Sequence, residues 1–126
     1  MRAWRWLQSH PLLHLWFPLL AWMGLIYFLS AQPDLPHPDA GWLGLALSCG
    51  AHAFVFGELA VLWVRVLVRC RRAWFVAFLL TMLYALSDEF HQAFVPGRYP
   101  DPWDLLFDGL GALLALALWL YWRRRL

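Results

Sequence analysis

The segment Ala73–Ala112, AWFVAFLLTMLYALSDEFHQAFVPGRYPDPWDLLFDGLGA, contains two long apolar runs separated by a polar passage. The first run covers about 74–94, and the second begins at Trp103 and continues to Trp122. Each run is close to the ~20 residues that a helix needs to cross ~30 Å of hydrocarbon. Because the bilayer core gives backbone groups no water to bond, each run is predicted to be a transmembrane helix.

The composition supports a membrane protein. The chain has 126 residues, of which 63% are hydrophobic and 14% are charged. Soluble domains average ~45–50% apolar and ~25% charged residues. A domain of this size buries too small a fraction of its surface to hide such an excess, so a bilayer is the expected solvent.

Two further apolar runs precede these, at about 11–30 and 43–67. The prolines of the intervening AQPDLPHPDAG segment prevent one continuous helix. A cleaved signal peptide is the alternative for the first run, but the run exceeds the usual ~7–15 residues and no A-x-A site follows. We therefore predict one domain over 1–126, an all-α integral membrane bundle with spans at about 11–30, 43–67, 74–94 and 103–122.

The arginines predict the orientation of the bundle. Nine of the ten basic residues lie before the first run, around the loop after the second, or after the fourth, and Arg98 alone lies in another loop. Loops rich in arginine stay in the cytoplasm. Both termini are therefore predicted to be cytoplasmic, and the loop that contains Arg98 is predicted to lie outside.

With this orientation the unusual polar residues fall at the outer ends of the four spans and in the outer loop after the third. They are Ser30, Gln32, His52, Asp88, Glu89, His91, Gln92, Arg98, Asp104 and Asp108. Ionisable residues inside a membrane are costly and indicate a functional site. The alternative is that these groups only hold the helices together through hydrogen bonds.

Helical spacing predicts contacts on the third span. Asp88 shares a face with His91 and Gln92, and Glu89 is three residues from Gln92. Asp88 and Glu89 have a second possible role as surface partners of Arg98, since exposed ion pairs of this kind are common and weak.

On the fourth span, Asp104, Asp108, Gly111 and Ala115 form one stripe. Small residues four apart let a neighbouring helix approach closely, so this stripe, including Asp108, is predicted to face the interior of the bundle. Asp101 is expected to be an N-cap, with Asp104 completing a capping box.

Two polar residues of the second span have more than one interpretation. His52 is either part of the polar cluster or a core histidine bonded to a carbonyl. Glu58 lies deep in the span and is expected to bond a neighbouring helix or to extend toward Arg65. A metal site of His52, His91 and carboxylates is a minor alternative, since no C-x-x-C or H-E-x-x-H motif exists.

The passage YALSDEFHQAFVPGRYPDPWDLLFDGLGA resembles the core of the VanZ-like membrane proteins. Their S-D-E-x-x-Q-x-F-x-P-x-R run corresponds to Ser87 through Arg98, and the Asp, Asp and Gly-Ala that follow correspond to Asp104, Asp108 and Gly111-Ala112. Ser30 and Pro33 fit the end of the family's first span. His52 matches the histidine of D-K-x-x-H, but Ser48 and Cys49 replace its Asp and Lys.

The resemblance implies a multi-pass protein of the bacterial cytoplasmic membrane with a role at the cell envelope, since the family name comes from resistance to the glycopeptide teicoplanin. It supplies no reaction. Whether the protein is an enzyme therefore stays open.

Three functions are compatible with the sequence. The first is an enzyme acting on a lipid or lipid-linked envelope precursor, with Asp88, Glu89, His52 and His91 as acid–base groups. Substrate-binding residues would then be Arg98, Gln92, Asp104, Asp108 and Ser30, with Arg98 holding an anionic phosphate. The second is a binding module for the same ligand, and the third is a purely structural cluster. No cofactor, metal or nucleic-acid partner is expected, and the oligomeric state is left open.

Overall fold

The computed structural model describes residues 10–33 and 41–125, and all regular structure in these ranges is helical. A π-helical segment, Leu12–Trp16, leads into the first of four α-helices. The α-helices are α1 (Phe17–Ser30), α2 (Gly41–Val66), α3 (Ala73–Gln92) and α4 (Pro102–Arg123). All four spans are long and apolar enough to cross a membrane. The predicted all-α architecture is confirmed.

The observed helix ends lie within two residues of the predicted ones. The largest differences are at the start of α2, Gly41 instead of 43, and at the end of α3, Gln92 instead of 94. After Gln92 the chain forms tight turns in which the Phe94 N–H donates to the His91 carbonyl. Gly97 then takes a φ of +80°, which ordinary side chains rarely adopt.

Pro18 accounts for the irregular start of the first span. Proline has no N–H to donate to the carbonyl four residues earlier, here that of His14, and its ring crowds that position. The wider π-helical turns lie directly before it. The His14 carbonyl accepts a hydrogen bond from Nη2 of Arg65 at 3.3 Å, which connects this segment to the end of α2.

α2 and α4 form the closest helix pair. A Cβ on Gly111 would overlap the backbone of Ala53, and a Cβ on Gly57 would lie 3.1 Å from the Gly111 carbonyl oxygen. Only residues without side chains permit this approach. The predicted interior position of Gly111 is therefore confirmed.

α1 is attached by side chains that bond carbonyls of other helices. Nε1 of Trp22 donates to the Val55 carbonyl at 3.0 Å, and the Tyr84 hydroxyl donates to the Met23 carbonyl at 2.6 Å. The core between the helices includes Leu19, Phe56, Leu59, Ala85 and Leu116.

Large apolar side chains also cover the outside of the bundle. Leu83 is 62% exposed and Leu114 is 64% exposed, and both lie in the middle of apolar helices. Water would disfavour such a surface, whereas lipid chains solvate it. The exterior agrees with the sequence prediction of a bilayer as solvent.

Candidate functional site

The centre of the site is His52, which lies between two aspartates of α4. Its Nδ1–H donates to Oδ1 of Asp108 at 3.0 Å, the direction that an ionised carboxylate requires. Its Nε2 lies 3.5 Å from Oδ2 of Asp104. The histidine is therefore paired with carboxylates at both nitrogens, and the interpretation as a core histidine bonded to a carbonyl is wrong.

Asp108 is the most deeply buried acidic group of the site. It is 1% exposed and sits one turn before Gly111, where α2 and α4 are in contact. Oδ1 bonds His52, whereas the buried Oδ2 has no hydrogen-bond partner among the described residues. A buried carboxylate needs such pairing to offset its loss of hydration, so the His52 contact is central to this arrangement.

Glu89 connects α3 to the start of α4. Its Oε2 accepts the backbone N–H of Asp101 at 2.9 Å. Asp101 is the predicted N-cap, and its Oδ1 accepts the Trp103 N–H at 2.9 Å. In a capping box the third helical residue would accept the N-cap N–H. Here Glu89 does so, and the carboxylate of Asp104 faces His52 instead, which corrects the capping-box prediction.

Asp88 and Gln92 form a buried pair on the same helix. Nε2 of Gln92 donates to Oδ2 of Asp88 at 3.0 Å. The expected Glu89–Gln92 contact is therefore wrong, because the four-residue spacing brings Gln92 over Asp88 while Glu89 turns toward Asp101. Asp88 also lies within electrostatic range of Asp108.

His91 lies at the other side of the site, against α1. Its ring stacks on Tyr27 with a centroid distance of 4.6 Å. The buried Nε2 of His91 has no hydrogen-bond partner among the described residues. His91 is thus close to α1, whereas His52 is between α2 and α4.

Arg98 and Ser30 also lie on the α1 side. Nη2 of Arg98 donates to the Leu29 carbonyl at 3.4 Å. Within the described ranges, Arg98 forms no ion pair with Asp88 or Glu89, so the alternative role of these two acids as surface partners of Arg98 is wrong. Ser30 is 4% exposed, and its Oγ, like Nε of Arg98, is buried and lacks a partner among these residues.

The candidate residues therefore occupy one end of the bundle in two groups. The acidic group is His52, Glu89, Asp104 and Asp108, in which Glu89 is within electrostatic range of the other three. The α1 group is Ser30, His91 and Arg98. Asp88 and Gln92 belong to α3, which contributes to both groups.

Two tyrosines at this end were missed in the sequence. Tyr27 stacks on His91, and Tyr84 lies within electrostatic range of Asp88 and Tyr27. Tyr27 is three residues before Ser30, so helical spacing offered a clue. Tyr84 is four residues before Asp88, so the same spacing indicated their proximity, whereas its hydrogen bond to the Met23 carbonyl depends on how α3 is rotated against α1.

The acidic group has the parts of an acid–base site. Asp108 fixes one nitrogen of His52 and leaves the other directed at the more exposed Asp104 side, where 21% of the imidazole and 24% of the Asp104 side chain are accessible. A histidine oriented by a buried carboxylate is a common general base. Among the described residues, no three His, Cys, Asp or Glu side chains are grouped as ligands of a metal ion.

Comparison with known proteins agrees with the sequence motif. A family model for VanZ/LLP1 matches residues 15–123, which includes all four helices and every candidate site residue. No curated protein and no solved structure matched the chain. Since the match covers most of the sequence, the chain belongs to the VanZ/LLP1 family.

Proposed function

We propose that this protein acts at the outer leaflet of the bacterial cytoplasmic membrane on a lipid or lipid-linked envelope component with an anionic headgroup. His52 is the acid–base group, assisted by Glu89. The action on this component alters sensitivity to glycopeptides. Both termini are cytoplasmic in this proposal, because nine of ten arginines lie on that side of the spans.

The observation that carries the proposal is the contact between His52 and Asp108. The 3.0 Å hydrogen bond to a carboxylate that is 1% exposed fixes the orientation of the imidazole, as in a general base. A pair that only held helices together would not need a partly accessible imidazole. The His52 side chain is 21% exposed, and its Nε2 lies next to the partly exposed carboxylate of Asp104.

The α1 group supports an anionic ligand. Nε of Arg98 and Oγ of Ser30 are buried donors without a partner among the described residues. A guanidinium presents several N–H groups in one plane, which suits a phosphate. We assign anion binding to Arg98 and Ser30, and proton transfer to the acidic group.

Binding without catalysis is the second candidate, and the bonds of Glu89 and Asp88 favour it. Glu89 is occupied by the Asp101 N–H, and Asp88 is occupied by Gln92. Carboxylates that are bonded to the protein in this way fix the shape of a pocket and need no proton transfer.

Lipid profiling of a deletion strain complemented with variants tests the proposal. His52→Ala should abolish complementation and cause one envelope lipid to accumulate even when its expression is raised until the amount of folded protein matches the wild type. Arg98→Ala should give the same lipid change, with less of that lipid co-purifying. Arg124→Ala is the matched control, since Arg124 is exposed at the opposite end of α4.

The outcomes separate the two candidates. Catalysis predicts that the purified protein converts the accumulated lipid and that His52→Ala does not. Binding predicts that the lipid co-purifies unchanged with the wild type and is lost in Arg98→Ala. Full complementation by both His52→Ala and Arg98→Ala would exclude both functions.

A further inference from the structure

Glu58 is an acidic residue that the candidate site does not use. It lies in α2, eight residues before the last residue, Val66, or about 12 Å from that end of the helix. This depth places it in the hydrocarbon region of a span that runs from Gly41 to Val66. Its carboxyl has no hydrogen-bond or ion-pair partner among the described residues.

The two partners expected for Glu58 within the chain are not found. Arg65, two turns further along α2, donates to the His14 carbonyl and forms no ion pair with Glu58 within the described ranges. Among residues 10–33 and 41–125, no neighbouring helix supplies a donor to Glu58 either. A carboxyl at this depth is costly without a partner, so a partner from outside the bundle would stabilise it.

Glu58 lines a groove of about 290 Å³ along the lipid-facing side of the α2–α4 contact. Small residues form its floor and large apolar side chains form its rim. The floor residues are Ala53, Gly57, Gly111 and Ala115. The rim residues are Phe54, Val61, Leu114 and Leu118. Small residues let another helix approach closely, and Phe54, which is 67% exposed, projects beside the groove.

We propose that this groove is the contact surface of a homodimer in which Glu58 of one copy bonds Glu58 of the other. Lipid chains have no donor for a carboxyl. A second copy, inserted in the same orientation, presents an identical carboxyl at the same depth, so a two-fold axis along the membrane normal brings the pair together. One carboxyl of the pair stays protonated, and its O–H donates a hydrogen bond to an oxygen of the other.

This arrangement also suits the shape of the surface. A two-fold interface uses the same surface of both copies, so every contact occurs twice. The Phe54 side chain of each copy can therefore pack against the groove of the other copy. The inference does not depend on the proposed function, because Glu58 is separate from both groups of the site and on a different surface of α2 from His52.

Cysteine crosslinking in native membranes tests the dimer. In a background with Cys49→Ser and Cys70→Ser, Phe54→Cys should form a crosslinked species of twice the monomer mass with a short bis-maleimide. Leu83→Cys is the matched control, since Leu83 is 62% exposed on α3 and outside the groove. It should give only background crosslinking.

Substitution of Glu58 tests the carboxyl pair itself. In the Phe54→Cys background, Glu58→Gln should retain the crosslink, because an amide both donates and accepts. Glu58→Leu should reduce it roughly fivefold or more. Photobleaching of labelled protein in liposomes, in which two steps are expected for the wild type and one for Glu58→Leu, checks that the loss reflects dissociation, and an unchanged unfolding temperature of Glu58→Leu in detergent checks that the monomer is folded.

Three results would overturn the inference. They are equal crosslinking of Phe54→Cys and Leu83→Cys, single-step photobleaching of the wild type, and a Phe54→Cys adduct whose mass matches a different protein. Single-step photobleaching would mean that lipid covers the groove. An adduct that contains a different protein would mean that another membrane protein covers it.

Discussion

Oε2 of Glu89 accepts the backbone N–H of Asp101 at 2.9 Å, across the turn that joins α3 to α4. One carboxylate of α3 thereby fixes the N-cap of the next helix, and that helix carries Asp104 and Asp108. Since Glu89 is also within electrostatic range of His52, its structural and chemical contributions can be separated by substitution.

Glu89→Gln should leave stability nearly unchanged, because the amide oxygen still accepts the Asp101 N–H. Glu89→Ala removes that acceptor and should cost about 1 kcal/mol. If Glu89 transfers protons, both variants fail to complement a deletion strain, although only the second is destabilised. Thermal unfolding of the purified variants in detergent and a complementation assay measure the two effects. A Glu89→Gln protein that complements fully would limit Glu89 to a structural role.

Gly111→Ala should strongly destabilise the bundle. The new methyl group would overlap the backbone of Ala53, so α2 and α4 would have to separate, which also moves Asp108 away from His52. A loss of about 1–3 kcal/mol is typical of overpacking in a well-packed interior. Unfolding temperature in detergent is the measurement.

Gly24→Ala is the matched control for this substitution. A Cβ at Gly24 meets no atom within 4 Å, and helical alanine is favoured over glycine by about 1 kcal/mol. This variant should be as stable as the wild type or more so. Equal losses at both positions would contradict the close α2–α4 contact.

His52 and Asp108 should show energetic coupling. His52→Ala leaves a buried carboxylate without its partner and should cost about 3–5 kcal/mol. Asp108→Asn should cost less, because the amide carries no charge to desolvate. The stability loss of the double variant should be smaller than the sum of the two single losses. The interaction energy from this double-mutant cycle should be about 1–3 kcal/mol. Strictly additive losses would indicate that the two side chains do not interact.

The proposed orientation predicts opposite accessibility for the two ends of α4. In a background without native cysteines, Tyr99→Cys should react with a membrane-impermeant maleimide added to intact cells, since Tyr99 is 87% exposed in the turn before α4. Arg124→Cys, after the other end of α4, should react only after the cells are opened. Labelling of both positions in intact cells would place them in one compartment and reject the topology.

The helices could be predicted from the sequence because their cause is local. A run of about 20 apolar residues in a bilayer must satisfy its own backbone, and helix is the conformation that does so within one segment. The N-cap at Asp101 also has a local cause, since the Asp-Pro-Trp-Asp sequence places a carboxylate acceptor two residues before the Trp103 N–H. These elements depend only on residues that are neighbours in the chain.

Contacts between helices were predicted less well. The sequence placed the polar residues at one end and offered Gln92 both Asp88 and Glu89 as neighbours, with the same two acids as possible partners of Arg98. The structure confirms only the contact between Gln92 and Asp88, and Arg98 bonds the Leu29 carbonyl instead. Helical spacing gives the neighbours on one helix, but the choice among them depends on what the adjacent helix offers.

The sequence by itself determined the number of spans, their helical form and the gathering of polar residues at one end, because the bilayer imposes these on any chain with this pattern of hydrophobicity. Which polar side chains bond to one another was decided only by the tertiary structure. The close approach at Gly111 sets the distance between α2 and α4, and this distance brings His52 into hydrogen-bond contact with Asp108. The rotation of each helix about its axis decides whether a side chain faces the site, as His52 does, or the groove, as Glu58 does.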